Sequence, residues 1–77
     1  MQEKEIKILF DGGALSRVSV IHMPALSGFT YQFYYKDKRL DPIMLMTQRG
    51  DQKVAKTLDS AMQQLRRIGF RKFEVEY

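Results

Sequence analysis

The chain contains no cysteine and no tryptophan, only two prolines, and a single histidine, His22. Without cysteine there is neither a disulfide framework nor a thiolate metal site to compensate for a small core, and a reducing compartment is favoured. Long apolar runs are lacking too. The longest, such as Ile43 to Met46, fall far short of a bilayer span. Met1-Gln-Glu-Lys-Glu5 is charged at once and has no apolar stretch behind it, so no signal peptide is expected. The chain is therefore read as cytoplasmic, with no membrane partner. Repeats, linkers and low-complexity tracts are absent, and 77 residues suit one domain over 1–77. A hydrophobic content of 44% argues against disorder.

Catalytic patterns are missing as well. His22 has no second group held in reach by the sequence, and its place beside Val18 and Val20 in an alternating stretch reads as structural. The acids are scattered singly, without ligand spacing for a metal. Gly12-Gly13 follows an expected strand but lacks the spacing of a phosphate loop and reads as a turn between strands. No serine sits in a nucleophile-elbow context. The residues indicate no enzyme, no cofactor, no metal and no small-molecule substrate.

What is present is clearest between Thr57 and Tyr77. Leu58, Ala61, Met62, Leu65 and Ile68 fall on one stripe at 3.6 residues per turn. Thr57 suits the N-cap and Arg66 and Arg67 suit the last turn. Gly69 is placed to stop the helix with positive φ. Phe73, Val75 and Tyr77 then alternate with Glu74 and Glu76, a strand.

Upstream, alternation predicts strands over Glu5–Phe10, Leu15–Met23, Phe29–Tyr35 and Ile43–Gln48, followed by a short extended arm, Gln52–Lys56, after the Arg49-Gly50-Asp51 turn. The expected fold is α+β: an antiparallel meander of four to five strands with one C-terminal amphipathic helix on one face, in the order ββββαβ. Phe29, Tyr31, Phe33 and Tyr35 are the expected core set. One helix covers one face, so the other must be polar or buried by a partner.

Charge is uneven. Residues 1–35 balance three basic side chains against three acidic ones, whereas residues 36–72 hold ten basic and four acidic. Such a bias suits a polyanion. Arg49, Lys53, Lys56, Arg66, Arg67, Arg71 and Lys72 are the candidate phosphate contacts, with Arg66, Arg67, Arg71 and Lys72 expected to lie close together. Tyr34 is a candidate stacking residue, near Lys36, Lys38 and Arg39. On this reading the chain is a nucleic-acid-binding module whose partner is DNA or RNA. The alternative is a protein-interaction or homodimerising module that uses an apolar patch of Ile21, Met23, Met44 and Met46 on the uncovered face.

Thr47-Gln-Arg-Gly50, an apolar residue, Thr57-Leu-Asp-Ser-Ala61, then Leu65, Gly69 and Phe73-Glu-Val75 form a pattern over residues 45–77. It resembles one in small accessory proteins, themselves uncharacterised, of conjugative plasmids and integrating elements. The resemblance implies a mobile-element context and an accessory role, and it assigns no activity.

Overall fold

Residues 3–11 alternate well enough to pass for a strand but form a helix. In the computed structural model, which describes residues 1–77, α1 spans Glu3–Asp11. The Gln2 backbone N–H donates to Glu5 Oε1 at 3.1 Å, so the first turn is capped by its own third residue. Lys7 and Asp11 pair across one turn at 3.5 Å. Ile6, Leu9 and Phe10 face the core, whereas Ile8 is left exposed. Gly12-Gly13 then ends the helix. Ala14 N–H donates to Leu9 O and Gly13 N–H to Phe10 O, with Gly13 at φ +78°, the paired bonds of a Schellman stop. The expected first strand and its glycine turn are therefore a helix and its C-terminal cap.

The sheet follows. β1 (Leu15–Met23) pairs antiparallel with β2 (Gly28–Tyr35), and β2 pairs antiparallel with β3 (Ile43–Met44). α2 spans Leu58–Ile68, with Thr57 Oγ1 accepting from Ser60 N–H at the N-cap. β4 (Glu74–Glu76) lies beside β1 and runs parallel to it, giving the order β3-β2-β1-β4. The sheet is mixed rather than a pure meander because α2 carries the chain back before β4 begins, so β4 starts from the same end as β1. The expected strand over Ile43–Gln48 shortens to two residues. Met46 N–H leaves β2 and donates to Met1 O, while Lys53 N–H donates to Leu45 O. The arm then returns to β2 through paired bonds between Phe29 and Ala55.

Both helices contribute to one hydrophobic cluster, on one face of the sheet. Ile6, Val18, Val20, Tyr31, Phe33, Leu65 and Ile68 are buried together, with Phe29 and Tyr35 packed partly against them. The strand-faced aromatic set is thus core. Leu15 joins it despite being out of phase with Val18, because a bulge after Leu15 shifts the register. The helices also meet directly. Arg67 donates to Glu3 Oε1 at 3.1 Å, and Lys7 Nζ donates to the Ile68 carbonyl at 3.5 Å.

Two glycines are required by close approach. A Cβ on Gly28 would lie 2.5 Å from Ala55 O, so the arm can pair with β2 only over hydrogen. Gly69 holds φ +130° and sits against the Phe10 ring, into which a Cβ would be driven. Gly50 also has positive φ but faces open space. Gly69→Ala should therefore cost about 1–3 kcal/mol more than Gly50→Ala, overpacking adding to a backbone penalty that both share. Urea unfolding measures the difference, and equal losses would contradict the packing described.

Candidate nucleic-acid interface

Of the 13 lysines and arginines, four sit in ion pairs: Lys7 with Asp11, Arg17 with Glu74, Arg39 with Asp37, and Arg67 with Glu3. The remaining nine have no carboxylate partner, against five acids left unpaired among nine. The exposed Arg39–Asp37 pair is a two-toothed contact, both N–O distances 3.0 Å. That contact holds the Asp37 carboxyl below its usual range and Arg39 above its own, and it closes the turn after β2.

The cations, paired and unpaired together, divide into two groups. The first surrounds the β1 bulge. Ser16 Oγ donates to the Tyr34 carbonyl at 3.2 Å, and the shifted register sends Arg17 across Tyr34, its guanidinium 3.9 Å from the ring centroid. Tyr34 in turn donates to Gln32 Oε1 at 2.9 Å. Arg17 and Ser16 separate two shallow concavities. One is lined by Tyr34, Lys36 and Lys38, the other by Phe10, Phe70, Arg71 and Lys72. Glu74, already paired with Arg17, is the one carboxylate lining either of them.

The second group follows the arm and α2. Lys53 and Arg67 line a groove with Gln2, Lys4 and Met46, and Lys53, Lys56 and Arg67 line another against Tyr31. Arg49 is exposed in the tight turn at 47–50, and Arg66 is exposed on the last turn of α2. The expected quartet of Arg66, Arg67, Arg71 and Lys72 is therefore not one cluster. Arg67 turns to Glu3 on α1, while Arg71 and Lys72 turn to the bulge. Arg17 was missed by sequence reasoning, since only the pairing register puts it opposite Tyr34.

The apolar patch is likewise divided. Ile21 pairs with Thr30, Met23 with Gly28, and Met44 with Gln32. Thr30 and Gln32 thus stand between Ile21 and Met44, on strands spaced roughly 4.8 Å apart. Met46 lies outside β3 and lines the groove beside Gln2 and Lys4, so it is not part of such a patch. Glu74 and Glu76, opposite Ser19 and Ile21, add negative charge to the same uncovered face. His22 is half-buried between the rings of Phe29 and Tyr77, at 5.1 and 5.6 Å, a packing role. No three of the histidine and acidic side chains gather as a metal site would require. No helix is long and apolar enough to cross a membrane.

Comparison with protein-family models, with curated proteins and with solved structures finds nothing that matches this chain.

Tyr31 stands apart from the other aromatic residues: it is 1% exposed and its hydroxyl has no hydrogen-bond partner within the protein. Burial pushes its phenol from 10.0 up to about 12, with Arg67 pulling the other way. A raised value favours the neutral form in the folded state. The resulting stability is intact below about pH 10 and is lost as pH rises towards about 12. Tyr31→Phe should therefore flatten the alkaline fall in urea midpoint over that window. An unchanged alkaline slope would contradict the burial of this phenol.

Proposed function

We propose that this chain is a small non-enzymatic module that binds the phosphate backbone of a nucleic acid through the cationic rim around the β1 bulge. The observation that carries this reading is that Lys36 and Lys38 in one concavity and Arg71 and Lys72 in the next flank Arg17, which lines both, with a single, already paired carboxylate among them. Several fixed cations displace condensed counterions together, which drives binding without reading sequence. Tyr34 is half-buried and gives one ring face to Arg17, so it orients the rim and contributes little base stacking. Glu76, which has no cation partner, repels phosphate from the uncovered face. Arg49, Lys53, Lys56 and Arg66 add longer-range attraction. The resemblance of residues 45–77 supports an accessory role in a mobile element.

A homodimer through the uncovered face is the weaker reading, because Thr30, Gln32, Glu74 and Glu76 interrupt its apolar residues. Sedimentation across a wide concentration range is expected to report a monomer.

Fluorescence anisotropy with labelled oligonucleotides tests the main reading. Neutralisation of about four phosphates predicts a loss of roughly 50- to 150-fold in affinity between 50 and 200 mM salt. The double variant Lys36→Glu/Lys72→Glu should bind at least about tenfold more weakly at low salt. Absence of binding at high micromolar protein in low salt would end this reading.

A further inference from the structure

The concavity between the arm and α2 differs from the rim in having a buried polar wall. Ser60, Gln64 and Arg67 lie at i, i+4 and i+7 of α2, hence on one side of the helix. Lys53 and Lys56 face them from the arm, and Tyr31 contributes from β2, so three separate elements converge on a space of about 340 Å³. Tyr31 and Gln64 are 1% and 8% exposed. No carboxylate belongs to the lining.

The hydrogen-bond inventory of these side chains is one-sided. Ser60 Oγ accepts from Thr57 Oγ1 at 3.0 Å, which leaves its own proton to donate. Arg67 spends its NH2 group on Glu3 Oε1 and on Gln64 Oε1 at 2.8 Å, and no bond engages its Nε or NH1. Gln64 Nε2 donates to Glu3 Oε1, so the nearest carboxylate is already held by two donors. Lys53 and Lys56 have no ion-pair partner. The Tyr31 hydroxyl is buried and unpaired, a costly arrangement unless an acceptor reaches it. It stays protonated, and so remains a donor, well above neutral pH.

We propose that this concavity is a binding site for a phosphate group, either inorganic phosphate or a phosphate monoester. Two unpaired lysines, the unengaged Nε and NH1 of Arg67, and neutral donors from Tyr31 and Ser60 exceed what the two oxygens of a carboxylate can accept. The three terminal oxygens and near-double charge of a phosphomonoester match them. The site shares no residue with the rim around Arg17; Lys53 and Lys56 act on the rim-bound strand only at longer range.

Thermal unfolding of the full chain in inorganic phosphate, against sodium chloride of equal ionic strength, tests the assignment. Preferential binding to the folded state should raise the Tm progressively over about 1–20 mM phosphate beyond the chloride control. Tyr31→Phe should unfold no earlier than the parent in chloride, since it removes an unpaired buried hydroxyl. Its phosphate affinity should fall about tenfold or more, the loss of one hydrogen bond to a charged acceptor. Lys53→Gln/Lys56→Gln, which alters exposed side chains only, should lose at least as much. Lys36→Glu/Lys72→Glu should keep the phosphate response whether or not it binds oligonucleotides. Tighter binding of a 5′-phosphorylated than a 5′-hydroxyl oligonucleotide would identify a strand end as the source of the group. Equal binding of the two, with the phosphate response retained, would identify a free phosphorylated small molecule. No phosphate-specific rise in Tm, or an equal rise in the Tyr31 and Lys53/Lys56 variants, overturns the assignment.

Discussion

The ring of Phe10, in the last turn of α1, packs 4.6 Å from that of Phe70, just beyond α2, and Phe70 in turn lies 5.7 Å from Phe33 in the middle of β2. This run of tilted ring contacts joins both helices to the sheet. It exists because Gly69 has no side chain to intrude on Phe10 and because its positive φ turns the chain sharply enough to bring Phe70 against that ring. Aromatic contacts of this kind carry a large share of the burial in so small a core. The geometry that follows is asymmetric. Both helices are drawn to one side, and the other side of the sheet is left to side chains alone.

That bare side carries mostly polar side chains. Ser19 and Thr30 on it are 0% and 2% exposed, with Gln32 and Ile21 as their register partners. Its edge is guarded by Glu74 and Glu76 on β4, which discourage strand addition and also disfavour an anionic ligand across the face. The cations are displaced to the two ends of the molecule, one at the β1 bulge and one between the arm and α2. The bulge is thus the hinge between fold and proposed function. By absorbing one residue it brings Leu15 into the core and sends Arg17 over Tyr34 in the same step.

The local periodicities carried much of this architecture. The helix from Leu58 to Ile68, its Thr57 cap and its Gly69 stop were legible because cap, stripe and stop agree, and the aromatic alternation of Phe29 to Tyr35 could only be a half-buried strand. The N-terminal helix was misread because Ile6, Ile8 and Phe10 satisfy a period of two as well as Ile6, Leu9 and Phe10 satisfy a helical one. The deciding signals were Glu5 three residues after the cap and the paired glycines after Asp11, which mark a helix stop as readily as a hairpin. The parallel placement of β4 depends on where a crossover lands, which no local pattern states. The division of the basic residues into two groups was hidden for the same reason: Arg67 and Arg71 are neighbours in sequence, but the turn at Gly69 sends one towards Glu3 and the other towards Arg17.

The proposed contact lies at the rim and not across the face. Amide chemical shifts followed by NMR while an oligonucleotide is added at low salt locate that contact directly. The account predicts the largest changes at Ser16, Arg17, Tyr34, Lys36, Lys38, Arg71 and Lys72, with Ile21, Met23 and Met44 little affected. Changes centred on Ile21, Thr30 and Met44, with the bulge unmoved, would contradict it.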